Sequence, residues 1–210
     1  MTLYQFWFYP TADAIFSSRS LCSNLLRNGR TALKATAEDL RYPIGTPKVQ
    51  SRLDARLREQ SIFELAEAPA LLRRVVAGLT DAQLDTPYRD GGWTVRQVIH
   101  HVADSHMNSY VRFRLALTED NPTIKPYNEA AWAQLPDAST LPVEVSLQLL
   151  DGIHRRLVDL LRGLPEEKFA RTFQHPERGP MTLDANVALY AWHGRHHAAH
   201  VEALRKRNGW

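Results

Sequence analysis

The chain has 210 residues, of which 44% are hydrophobic and 23% charged, enough for one well-buried core and short for two. Its net charge of +3 comes from 26 Lys and Arg scattered among 23 Asp and Glu, which argues against a nucleic-acid surface, and no apolar run approaches the length of a membrane span. The single cysteine, Cys22, excludes an internal disulfide framework and any CxxC metal site, and it fits a reducing, cytoplasmic setting.

Residues 1–40 read as an extension ahead of the globular unit. They combine Phe6, Trp7, Phe8 and Tyr9 with a Ser/Arg-rich run, and before Glu38 the only acid is Asp13. They lack the charged start and apolar run of a secretory signal. Residues 41–210 carry the domain. Apolar residues Leu53, Leu57, Phe63, Leu71, Leu72, Val75 and Val76 give a helical rhythm from Ser51 to Gly78, in which Pro69 predicts a break or kink. After a loop, LDTPYRDGG, Thr94 and Gln97 have the spacing of a capping box, so a long helix is expected from there to about Thr118. The next segment, EDNPTIKPYNEAAWAQLPDASTLP, is long for a bundle connection and reads as a functional loop over one end of a site.

Helical spacing returns from Val143 to Gly163 through Leu147, Leu150, Ile153, Leu157, Leu160 and Leu161. A loop containing HPERGP follows, and Thr182 can then cap a last helix running to about Arg207. Four long amphipathic helices without a convincing strand predict an all-α, four-helix bundle.

Nine histidines accompany that one cysteine. On the last helix, His193, His196, His197 and His200 fall at roughly 0°, −60°, +40° and −20° for about 100° per residue, so they share one face. Histidines at i and i+4 are the spacing by which a helix offers two imidazoles to one metal, and both His193/His197 and His196/His200 qualify. The other dense source is the helix after Thr94, with His100, His101 and His106. Its inward stripe is Val95, Val98, Ile99, Val102, Ser109, Tyr110, Phe113 and Leu117. His106 projects near the middle of that stripe, His101 lies roughly 120° from its centre, and His100 points largely away. Angles alone therefore favour His106 as the further ligand, with His101 second.

The stretches TPYRDGGWTVRQVIHHVADSHMNSY, IKPYNEAAW and LYAWHGRHHAAHV together resemble the YfiT branch of the DinB superfamily, from about Tyr42 to Trp210, with YPIG at 42–45 matching the family's beginning. The resemblance implies a four-helix bundle that pairs as a homodimer and acts on a small-molecule substrate as a metal-dependent hydrolase. It also implies one divalent ion per subunit, zinc or nickel, on three histidines. Carried over, the first ligand falls on His101 and the others on His193 and His197. His106, His196 and His200 then become candidates for catalytic or pocket roles. Thiol transferases belong to the wider superfamily, so a bacillithiol-transferase-like activity is the alternative, and a metal-stabilised bundle without catalysis is the second. Glu202 is a candidate base, and Asp104 reads as a solvated surface carboxylate. Tyr88, Arg89, Asp90, Trp93, Tyr127 and Trp132 are expected as pocket walls.

Overall fold

A computed structural model describes residues 40–210, all within one compact unit; all but the last residue of the expected N-terminal extension, that is residues 1–39, lie outside the described residues. Four long helices carry the fold: α1 (Ala55–Val76), α3 (Val95–Thr118), α6 (Val143–Arg162) and α7 (Leu183–Asn208). Short helices α2 (Asp81–Leu84), α4 (Glu129–Trp132) and α5 (Pro136–Thr140) occupy the first two connections. The third holds a 3-10 turn, Glu166–Ala170, and a hairpin of β1 (Thr172–His175) and β2 (Gly179–Thr182).

Helix ends follow local chemistry. Thr94 Oγ1 accepts the Gln97 amide at 3.1 Å while Gln97 Oε1 accepts the Thr94 amide at 3.0 Å, which satisfies two amides that the first turn would otherwise leave bare. Thr182 accepts the Ala185 amide at the head of α7, and Gly209 ends that helix in the left-handed region at φ 70°. The expected HPERGP loop is instead the hairpin, pairing His175 with Gly179 and Thr172 with Thr182. Gly179 at φ 74° lets the chain reverse there. With four residues per strand, the ladder was too short for its alternation to be read.

Each long helix packs on two others: α1 on α7 and α6, and α3 on α6 and α7. The apolar core falls into two clusters. One takes Ile62 and Leu65 from α1, Phe113 from α3, Leu157 and Leu161 from α6, and Val187 and Tyr190 from α7. The other takes Leu72 and Val75, Val98 and Val102, Leu147 and Leu150, and Val201 and Leu204 from the same helices. Helices α1 and α7 thus run from the first cluster to the second, and α3 and α6 run the opposite way. Helices α3 and α6 are parallel neighbours, so the chain must return along the whole bundle between them, roughly 36 Å for 24 helical residues. That requirement explains the long segment 119–142.

Pro69 leaves α1 unbroken. Phe63, expected on the core face, is 57% exposed, because the buried face of α1 runs through Ile62, Leu65, Ala68 and Leu72. Parallel α1 and α7 are tied by a buried ion pair. Arg58 Nε donates to Asp184 Oδ1 at 2.7 Å, and the Leu53 amide donates to Oδ2 at 3.0 Å.

Candidate metal centre

Between the two apolar clusters lies a polar layer to which three helices contribute histidines: His101 and His106 from α3, His154 from α6, and His193, His196, His197 and His200 from α7. All but His193, which keeps some exposure, are buried. Helix α7 approaches α1 closely here because residue 194 is glycine. A Cβ at that position would stand 3.2 Å from Ala68 Cβ and 3.8 Å from His106 Cε1.

Two overlapping groups have ring nitrogens within 4.8 Å of one another and can hold a metal ion: His101, His193 and His197, and then His196, His197 and His200. In the first, the Nε2 atoms of His193 and His197 are 3.2 Å apart. Two nitrogens each about 2.05 Å from one tetrahedral ion stand about 3.3 Å apart, so this spacing fits joint ligation. His101 completes the triangle, its ring centroid 5.5 Å from His193 and 5.0 Å from His197. Trp93 covers its other side at 4.6 Å. Burial drives the His101 pKa down to about 4 and those of His193 and His197 well below the ordinary range, with neighbouring rings adding to it. The rings are therefore neutral at pH 7, the form that ligates a divalent ion.

The second group shares His197 with the first. His197 Nδ1, His200 Nδ1 and both nitrogens of His196 are buried without a hydrogen-bond partner among the described residues. His200 Nε2 donates to the Arg41 carbonyl at 3.0 Å. Aromatic rings wall this side, Tyr88 stacking on His200 at 4.1 Å and Trp192 on His196 at 4.2 Å. Of the other expected walls, Tyr127 and Trp132 pack together at 4.6 Å in the long loop, and Arg89 folds onto the Tyr88 hydroxyl at 3.1 Å, while Asp90 is exposed. Two surface cavities border the layer from outside. One, about 420 Å³, is bounded by Pro69, Asp151 and His154, and the other, about 350 Å³, by Ile44, Leu57 and Trp192.

Several expectations need correction. His100 does not point away: it is 6% exposed and hydrogen-bonds Ser146 Oγ at 2.7 Å and the Leu141 carbonyl at 3.1 Å. Asp104 is half-buried, and burial, with the charge of Asp137 adding to it, raises its pKa to about 6. Glu202 is exposed, two residues or roughly 200° beyond His200 around α7, and takes no part in the layer. His106 does not join either group of converging nitrogens; its Nε2 meets His193 Nδ1 at 3.1 Å. His154 escaped notice as a site residue, although it falls in register with Leu147, Leu150, Leu157 and Leu161 on the apolar stripe of α6. A polar residue in such a stripe is the signal that was there to read.

The family model of the DinB superfamily matches residues 64–201. A Bacillus cereus (strain ZK / E33L) protein named "Putative metal-dependent hydrolase" is 56% identical over 172 residues, covering 82% of this chain and 99% of the relative. A protein of that name from Bacillus mycoides (strain KBAB4) is 55% identical over 173 residues, with the same coverage. Among solved structures, YfiT from Bacillus subtilis, described as "a probable metal-dependent hydrolase with an unusual four-helix bundle topology", matches with a TM-score of 0.80 and 50% identity, over 82% of this chain and 99% of that one.

Proposed function

This chain belongs to the DinB superfamily, and on that premise we propose that it is a metal-dependent hydrolase whose single divalent ion, zinc or nickel, is held by His101, His193 and His197. The observation that carries the reading is the 3.2 Å approach of two neutral Nε2 atoms, one on buried His197 and one on part-buried His193, with the His101 imidazole beside them. A divalent ion on three neutral imidazoles keeps coordination positions open, polarises a carbonyl and lowers the pKa of bound water to about 7.

The chain's own residues supply the rest. His193 is the member with solvent contact, so access runs past its ring, whereas the His196/His200 side is closed by Trp192 and Tyr88. Trp93 holds the His101 ring against rotation and keeps water off it. Arg178, from the hairpin, helps to lower the His193 pKa, so positive charge stands near the entry and favours a substrate bearing an anionic group. Asp104, one turn beyond His101 on α3, has its pKa raised to about 6 by burial, with the charge of Asp137 adding to it, and is ionised at neutral pH.

The test is His193→Ala, compared with wild type for zinc content, for helicity of the metal-free protein, and for turnover of ester and amide panels by the zinc-loaded protein. The expected outcome is loss of zinc and turnover from a variant that stays helical, because the site is preformed by packed helices. An unfolded variant would make the ion structural. Turnover confined to an electrophile with a low-molecular-weight thiol would replace the hydrolase by a transferase.

A further inference from the structure

Pro69 lies inside α1, and a proline has no amide hydrogen. In an α-helix the amide of residue i bonds the carbonyl of residue i−4, so the partner denied by Pro69 is that of the Leu65 carbonyl. Leu65 is wholly buried, and its oxygen cannot turn to bulk water instead. The imidazole of His154, reaching across from α6, takes the vacancy, with Nδ1 2.6 Å from the Leu65 oxygen.

Every tautomer in a row of three rings then follows. A carbonyl only accepts, so His154 Nδ1 carries the hydrogen. His154 is 2% exposed and His106 1%, and rings this deeply buried stay uncharged. A neutral imidazole with its hydrogen on Nδ1 accepts at Nε2, and His154 Nε2 lies 2.8 Å from His106 Nδ1, which must donate. The same step repeats: His106 Nε2 accepts from His193 Nδ1 at 3.1 Å. His193 is left with a bare Nε2 aimed at the 3.2 Å gap to His197.

We propose that Pro69, His154 and His106 act as a tautomer relay that fixes His193 in its Nδ1–H form and presents Nε2 as the ligand atom. The relay touches all four long helices, beginning at a carbonyl of α1 and passing through α6 and α3 to α7. His154 and His106 are positioning residues, which orient a ligand without touching the ion. This inference rests on His193 being a metal ligand, yet its central claim concerns the protein without metal.

The experiment uses the full-length, metal-free chain labelled with 15N at histidine. Long-range 1H–15N correlations assign the tautomer of each ring, and zinc affinity is measured by competition with a chelator. Wild type is expected to show Nδ1–H tautomers at His154, His106 and His193. His154→Leu removes the lock; a mixed tautomer population at His193 and zinc binding weaker by roughly 10- to 100-fold are expected. His154→Gln keeps an N–H for the Leu65 carbonyl and an oxygen for His106, and it should recover both readouts. If His154→Leu fails to fold, Pro69→Ala serves in its place: it returns a helix amide to Leu65 and should loosen the His154 tautomer in a folded protein. An Nε2–H tautomer at His193 or His106 in wild type overturns the proposal. So does a His154→Leu or Pro69→Ala variant that is folded and unchanged in both tautomer and affinity. Nδ1–H tautomers in a wild type that binds no zinc would instead remove the metal-site reading and leave the relay standing.

Discussion

His100, His101 and Asp104 lie within little more than one turn of α3, and the angular reading misplaced all three for one reason. It assumed a single inward stripe, whereas α3 packs on both α6 and α7 and is buried over a wider arc. His100 is turned toward Ser146 on α6, and His101 toward His193 and His197 on α7. Asp104 shows the electrostatic consequence, since a carboxylate at the edge of that arc loses part of its hydration and holds its proton up to about pH 6. A carboxyl whose pKa is raised on folding stabilises the fold below its unfolded pKa, near 3.8, and loses that contribution as pH rises through about 6. Asp104→Asn is uncharged throughout. Its thermal midpoint should gain on wild type from pH 5 to pH 7 and then level off; a difference that stays flat across this range would mean that Asp104 is well hydrated.

At the level of the elements, helix lengths and ends were legible because they depend on neighbours in sequence. Thr94 and Gln97 cap α3 as their spacing required, Thr182 caps α7, and Gly163 ends α6. How closely two helices meet depends on residues far apart in the chain. Gly194 and Ala68 set the approach of α7 to α1, where an added Cβ would stand 3.2 Å from Ala68 Cβ. Alanine is the better helix former by about 1 kcal/mol, but here its methyl must push two packed helices apart. Gly194→Ala is therefore expected to lower stability in urea unfolding when residue 68 is alanine, and to raise it in an Ala68→Gly background. Equal effects in both backgrounds would show that the helices have room, and that Gly194 is there for another reason.

Across the whole molecule, a layer of buried imidazoles divides the core into two apolar halves, and acid acts on that layer first. His101, His106, His154, His196, His197 and His200 are each at most 8% exposed, and burial is the leading cause of a lowered pKa at all six. A histidine whose pKa falls on folding stabilises the fold above its unfolded pKa, about 6.5. That contribution is lost as pH falls from there toward the folded value, about 4 for His101, His154 and His200. Each ring contributes a slope of at most about 1.4 kcal/mol per pH unit, so even half of that from six rings rivals a net stability of about 5–15 kcal/mol before pH 4. Metal-free protein should lose helicity steeply between pH 6.5 and 4, and saturating zinc should shift the transition to lower pH. A circular-dichroism signal constant to pH 4 would refute the neutral, buried layer. The sequence by itself determined the four helices, their caps and the shared histidine face of α7, because 3.6-residue periodicity and capping are local. The resemblance in the His-rich motifs pointed to the family. Only the tertiary structure decided that the long helices cross the bundle with α3 and α6 parallel, that Pro69 frees a carbonyl for His154, and how packing turns His101, which the resemblance had named, toward His193 and His197. Those arrangements depend on which helix faces come together, and that choice is made by packing over long sequence separations.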